Sequence, residues 1–315
     1  MSRIIYFNEE FHKYTDDINN VYTSTTTLIG KYENKFNIKE VAKRCALAGQ
    51  RGNPKYKGKT AKQLEEEWKV INEIACAKGT KKHNLLETIV KQSTGYNLVG
   101  DDMFINDRLY TIDDLLVSHK FGKLKLDYFI KTGIKDKYPK IFNVIKLLSE
   151  KGYNIYAEVG VYDETNLISG LIDLFFFNPD TLDFIIGDYK TNKSPIRFES
   201  GYFEKDINGD ITDVFRETNK FMKFPINHLA DSVGNHYTLQ LSIYAYLAEL
   251  FGLTCRGLIL FHIRDKVLYI EDGVEVVEEV VEGLEIKYLK DEVKQLFNHH
   301  FLINSKDNIY QTKLI

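Results

Sequence analysis

Cysteine is scarce in this chain of 315 residues, and Cys45, Cys76 and Cys255 are scattered without a CxxC pair. That spacing argues against a disulfide framework, a zinc knuckle and a four-thiolate iron–sulfur cluster, and it favours a reducing, cytoplasmic setting. Long apolar runs are missing too. Nothing approaches the roughly 18 residues a membrane span needs, and the opening MSRIIYFNEEFHKY lacks the apolar region of a signal peptide, so no membrane partner is expected. Neither sign of charge dominates: the formal net charge is −3. The global field therefore does not advertise nucleic-acid binding, which has to come from a local patch. No internal repeat is visible. What the chain does have is 43% hydrophobic and 13% aromatic residues, ample for the core of one large domain or two.

The most informative stretch runs from Tyr156 to Lys193 and reads as three consecutive strands, Ile155–Tyr162, Leu167–Phe177 and Leu182–Lys190. Asn166 and the Asn178-Pro179-Asp180 cluster supply the turns. Glu158, Asp173 and Asp188 interrupt these apolar runs, and Lys190 follows. An unpaired buried carboxylate is costly, so such a breach calls for a partner. Several acids meeting at neighbouring strands suggest a divalent cation held through oxygen. Asp188 and Lys190, two positions apart, share a sheet face.

Elsewhere the signals are weaker. Residues 1–30 read as a β-hairpin with a turn near Asn19, and the hydroxyls from Ser24 and Thr25 to Thr27 serve either phosphate contact or an ordinary Thr-rich edge. From Lys43 to Lys62 seven basic residues and no acid surround Gly52, Pro54 and Gly58. This segment is either a solvated loop or a phosphate-tracking arm using Arg51, Lys55, Lys57 and Lys59, with Tyr56 available to stack on a base. Gly58-Lys59-Thr60 looks like a phosphate-binding loop, but five residues rather than four separate Gly52 from Gly58 and no hydrophobic strand precedes it, which excludes an NTPase reading. Helical composition from Ala61 to Lys91 is interrupted around Lys78-Gly79-Thr80, and Thr80 is placed to cap a new helix carrying His83 and Glu87 on one face. The lysine-rich run before Pro139 is either a second DNA-facing helical element or a charged face. A helix over Pro139–Lys151 leads into the first core strand. Arg197–Pro225 reads as a loop with a turn at Asn208-Gly209, and His228–Leu250 as a helix with a polar stripe of His236, Gln240 and Tyr244. Strands Cys255–Ile263 and Lys266–Glu271, an acidic stretch and a helix over Glu282–Asn298 complete the expected elements.

Gly170-Leu171-Ile172-Asp173 followed by Asp188-Tyr189-Lys190-Thr191 resembles the core of the PD-(D/E)xK nucleases. Gly79-Thr80-Lys81-Lys82-His83-Asn84-Leu85-Leu86-Glu87 upstream, and Gln240-Leu241-Ser242-Ile243-Tyr244 downstream, are similar to the motifs of the RecB-like branch, in the same order. Phe11-His12-Lys13-Tyr14 and Ser24–Thr27 resemble, more loosely, the opening of standalone members such as phage exonucleases and the mitochondrial genome maintenance exonuclease. The cysteine quartet of some branches is missing, so no iron–sulfur cluster is expected, and Asp188 stands where many members have glutamate.

The resemblance implies an α/β fold with a restriction-endonuclease-like core: a mixed central β-sheet flanked by helices, with an N-terminal helical wall or arch. It implies one nuclease domain over 1–315, divided into the hairpin 1–30, a helical substrate-facing region 31–152, a catalytic core 153–271 and a C-terminal helical segment 272–315. Asp173 and Asp188 become ligands of Mg2+ or Mn2+, with the Tyr189 carbonyl, His83 and Glu158 assisting. Lys190 orients the attacking water or acts as base if its pKa is depressed. Gln240 and Tyr244 contact substrate or hold Lys190, Glu87 orients the ligands, and Thr191 and Lys193 face substrate. The expected function is a metal-dependent deoxyribonuclease, an exonuclease on single-stranded DNA ends in a bacterial or phage-infected cell, working alone or with a separate recombination or replication partner. A structure-specific or restriction-type endonuclease and a non-catalytic DNA-binding scaffold are the alternatives.

Overall fold

The computed structural model describes residues 3–96, 107–117, 121–205, 211–271 and 274–312. Its architecture is α/β, with a mixed central sheet flanked by helices. Strands β1 (Ile5–Asn8), β2 (Lys13–Asp16) and β3 (Val21–Ser24) form an antiparallel meander. A single hairpin was expected there, but the chain turns twice. The Phe11 amide donates to Asn8 Oδ1 in the first turn, and Asp16 Oδ1 accepts from the amides of Ile18 and Asn20 in the second. Helix α1 (Thr25–Gly30) follows directly, capped by Ser24, whose hydroxyl accepts from the Thr27 amide.

Helices α2 (Ile38–Gln50) and α3 (Ala61–Thr94) come next. Lys43 and Arg44 therefore lie on a helix, and the irregular part of the basic segment is short. Helix α3 runs unbroken through Lys78-Gly79-Thr80, contrary to the break expected there. Its cap is Thr60, in a reciprocal capping box with Gln63. Gly79 has another purpose: a Cβ there would stand 2.8 Å from Thr191 Oγ1. The glycine lets the helix approach the end of a core strand, and that close approach offsets its helix cost of about 1 kcal/mol. Short helices α4 (Ile112–Val117), α5 (Leu126–Lys131) and α6 (Ile134–Lys137) lead to α7 (Pro139–Glu150). The lysine-rich run is amphipathic, because Phe129, Ile134 and Tyr138 are buried while most of its lysines stay outside.

The core strands are β4 (Asn154–Asp163), β5 (Ile168–Asn178) and β6 (Asp183–Lys190), close to the sequence expectation. The following excursion contains a separate hairpin, β7 (Gly201–Lys205) with β8 (Ile211–Glu217). The Asn208-Gly209 turn lies outside the described residues. Helix α8 (Val233–Glu249) starts later than expected, because Ser232 caps it through the Asn235 amide. It provides the crossover that the parallel pairing of β6 with β9 (Thr254–Glu271) requires. Strand β9 is continuous where two strands were expected. It pairs with β10 (Val274–Ile286), where an acidic stretch and the start of a helix were expected. The valines of β10 fit a pleated surface better than a helix, and α9 (Lys290–Thr312) begins only after them.

The sheet order is β1-β2-β3-β5-β6-β9-β10, with β4 along the other edge of β5. One core layer joins the sheet to α1, α8 and α9 through residues such as Leu28, Leu239, Ile243 and Val293. The opposite layer joins it to α3, α5 and α7 through Leu86, Phe129, Phe142 and Ile145. No described helix is long and apolar enough to cross a membrane.

Candidate active site

Strand β5 divides one of its edges between two neighbours. Its first two residues, Ile168 and Ser169, pair with β3, and Leu174–Asn178 pair with β6. Gly170–Asp173 pair with neither, so the sheet opens where Asp173 and Asp188 would form the next rung after Leu174 and Gly187. The side chain of Asp173 bridges the split: its Oδ2 accepts from the Tyr189 amide at 3.0 Å.

The strands also change faces at this level. In β4, Ile155 and Ala157 pack into one core layer, whereas Val159 and Val161 pack into the other. In β5, Ile168 and Ile172 belong to one layer, whereas Leu174 and Phe176 belong to the other. Regular alternation would keep residues two apart on one face. Both strands reverse at a single rung, Glu158 opposite Asp173. The ladder skips that rung while Ala157–Leu174 and Val159–Ile172 keep the same register on either side. The cause is Glu158 itself, whose φ of 58° is a left-handed conformation uncommon for a side chain of this size. Such strain costs on the order of 1–3 kcal/mol and persists where surrounding packing enforces it. Here both acids are turned out of the two apolar layers into one cleft.

Four charged groups meet in that cleft. Lys190 Nζ lies 2.8 Å from Asp188 Oδ2, and His83 Nδ1 lies 3.3 Å from Asp173 Oδ2. Both Asp188 oxygens are buried, and no donor besides the Lys190 ammonium reaches them. Burial drives the Asp188 carboxyl up to about 6, the Asp173 charge adding to the rise and Lys190 opposing it. Asp173 shifts the other way: burial opposes its charge, but the His83 hydrogen bond and the fields of His83 and Lys190 prevail. The His83 pKa is raised, because the Asp173 bond and the nearby carboxylates outweigh burial. Burial would also lower Lys190, but Asp188 and Asp173 overcome it and raise its pKa. That direction is opposite to the depressed value a lysine base needs, and it favours Lys190 as a fixed ammonium.

Glu158 completes the acidic side. Burial raises its pKa to about 9, reinforced by Asp173 and Glu87. Glu87 is ion-paired to Lys91 one turn along α3. No three His, Cys, Asp or Glu side chains among the described residues already stand in ligand geometry around one point. Yet the donor set suits a divalent cation. The Asp188 oxygens have no donor besides Lys190, Asp173 shares the split rung, and Glu158 is held protonated by burial and by negative neighbours that a cation would neutralise.

Helix α8 covers the cleft with a residue the stripe did not include. Tyr237 places its ring 4.8 Å from Lys190 Nζ and donates its hydroxyl to Asn192 Oδ1 at 2.7 Å. The carbonyl of Asn192 lies 2.9 Å from Nε2 of His262, the residue that pairs with Lys190 across β6 and β9. Gln240 does not reach Lys190; its Nε2 donates to Tyr244 Oη at 2.9 Å. The Tyr244 ring fills the opening beside β5, where a Cβ on Gly170 would come within 2.3 Å of it. Tyr237 was missed because it lies one position away from the His236, Gln240, Tyr244 series. An aromatic next to that series is the only sequence signal it leaves.

The other singled-out residues are spread around the molecule. Thr191 packs on Gly79, and Lys193 is exposed. Ser24 caps α1, and Thr25 is buried with its hydroxyl donating to the Ser169 carbonyl at 3.4 Å. Tyr56 packs against Ala42, Ala46 and Leu64, so its ring is used inside the arm formed by α2 and the first half of α3. Lys59 pairs with Glu67 at 2.7 Å, whereas Arg51 and Lys57 are exposed and Lys55 is partly covered. Tyr189 contributes its amide to Asp173, and its ring is buried in the core layer under α3. No protein-family model matches the chain, and no curated protein matches it.

Proposed function

We propose that the protein is a metal-dependent nuclease with a restriction-endonuclease-like core, acting as an exonuclease on single-stranded DNA ends. The observation that carries this reading is the buried Asp188 carboxylate, which shares a split rung with Asp173 and has the Lys190 ammonium as its one close partner. A structural ion pair gains nothing from a second buried acid placed against the first. Asp173, Asp188 and Glu158 would hold Mg2+ or Mn2+, and His83 would add a nitrogen, which suits Mn2+ better. A divalent ion bound there would supply charge neutralisation at the phosphoryl oxygens and a lowered pKa for the attacking water.

The chain's own residues account for the remaining requirements. Lys190, kept cationic by the acids, orients the attacking water and offsets charge building on the phosphate. Tyr237 and Asn192 restrict where the ammonium can point. His83, which holds Asp173 at 3.3 Å, would give up that bond and its proton to serve as a ligand. Single-stranded DNA is the proposed partner, with the exposed lysines of the α2–α3 arm tracking its backbone.

The test uses end-labelled linear single strands and covalently closed circles with Mg2+ or Mn2+. Stepwise loss of the linear substrate, with circles intact, is the expected result. Cut circles would make the enzyme an endonuclease, and binding without turnover in either metal would remove the catalytic reading.

A further inference from the structure

A cavity of about 720 Å³ opens between the β7–β8 hairpin and the start of α8. Its size lies within the range that holds nucleotide-sized ligands. Phe36 and Tyr202 line it with rings that are 71% and 60% exposed. The Arg197 guanidinium lies 5.7 Å from the Phe203 ring and 5.4 Å from the Phe215 ring, and these two rings cross at 62°, so cation and rings together form an aromatic wall. Lys220 adds a second cation. Of the two acids in the lining, Glu199 is exposed, whereas half-buried Asp231 already accepts from the Asn34 amide and side chain and from His236 at 2.7 Å, so its charge is spent internally.

The cavity adjoins the cleft through two short connections. Ser194 to Arg197 follow directly from Lys190 and Asn192 along the chain, and His236, which lines the cavity, precedes Tyr237, which covers Lys190. Four residues span at most about 14 Å, so a single strand with one phosphate at Asp188 and Lys190 can reach this cavity within a few nucleotides.

We propose that this cavity seats the base of a nucleotide within a few positions of the scissile phosphate, stacked on Tyr202 and Phe36 beside the Arg197–phenylalanine wall; the proposal rests on the nuclease reading. Stacking accepts any base, because every base has a π face. The site then serves as a sequence-tolerant register pin, holding the strand one nucleotide at a time.

The probe is a set of oligothymidines carrying 2-aminopurine at each position in turn, bound in Ca2+ so that binding is read separately from turnover. One or two adjacent positions should lose fluorescence on binding. In the Phe36→Ala/Tyr202→Ala double variant that quenching should vanish and Kd should rise about tenfold, the scale of one lost base stack. Tyr202→Trp, which keeps a stacking face, should retain the quenched position. Both altered side chains are exposed, and equal melting temperatures would verify the fold. Tight binding by the wild type without position-specific quenching would overturn the proposal and leave the nuclease reading standing, as would an unchanged double variant. Failure of the wild type both to bind and to cut single strands would overturn both.

Discussion

Helix α3 touches two clusters of acids and lysines, and they are built on opposite rules. On one side Lys78 pairs with Asp265, and Lys82 pairs with Glu279, which also accepts from Tyr138 Oη at 2.7 Å. Each acid there is matched, and both have lowered pKa values. The Lys78 hydrogen bond leads for Asp265, while for Glu279 the Lys82 and Tyr138 bonds overcome burial. In the cleft, Asp188 and Glu158 have raised values, because burial and mutual repulsion exceed what Lys190 and Lys91 return. A clamp satisfies its charges, whereas the cleft leaves two acids whose charged forms are disfavoured, as the proposed cation site requires.

The strongest break of that contrast is a pair of substitutions. Asp188→Asn should reduce metal-dependent cleavage by at least about a hundredfold, since even residues that merely support metal ligands are worth 10–100-fold. Asp265→Asn should leave the cleavage rate nearly unchanged and lower the melting temperature instead. Release of labelled nucleotide and thermal melts separate the two. A normal rate in Asp188→Asn would place the clamp and the cleft in one class.

The next contrast is in pH. Glu158 titrates near 9 and Asp188 near 6 in the fold, both above ordinary carboxylates. The folded protein therefore binds more protons than the unfolded chain, and their contribution is complete at low pH and lost as pH rises through those values. Glu158→Gln should remove the part lost toward pH 9, so its stability advantage over the wild type should grow with pH by about 1 kcal/mol or more. Adding Mn2+ should shrink that advantage. Denaturant titrations at pH 6 and 9 measure it, and a difference independent of pH would mean Glu158 is ionised in the fold.

At the clamp, Lys82→Met should destabilise by about 2 kcal/mol, between the values for exposed and buried pairs, with little change in turnover. The smallest effect is expected on the arm. Neutralising Lys55, Lys57 and Lys59 together should flatten the salt dependence of single-strand binding by less than the ~0.7 per contact that full phosphate engagement gives, because Lys59 already pairs with Glu67. An unchanged slope would take the arm out of the DNA path.

The central strands were legible in the sequence because apolar runs and turn residues agree there, and the acids stood out against them. Glu158's left-handed backbone was not legible, because its cause is tertiary packing that holds a strained residue. Gly79 misled for a related reason. A glycine within a helical stretch suggests a break, yet its cause lies more than a hundred residues away at Thr191. Strand β10 was misread because its frequent glutamates masked a β-branched strand, and the Thr-rich segment because Ser24 acts on the backbone of α1. Gln240 and Tyr244 were correctly placed on one helical face, but proximity in sequence could not tell that they would bond each other and leave Lys190 to Tyr237.

The reversal at Glu158 and Asp173 has a use outside this molecule. It shifts the odd–even parity of the apolar residues at an acid, in two consecutive strands, at positions that face each other. Ala157-Glu158-Val159 and Ile172-Asp173-Leu174 read as plain alternation in the letters, and the reversal shows only in the layers their flanking residues enter. Searching coordinates for paired layer reversals centred on acids would pick out candidate ion-binding clefts without reference to sequence motifs.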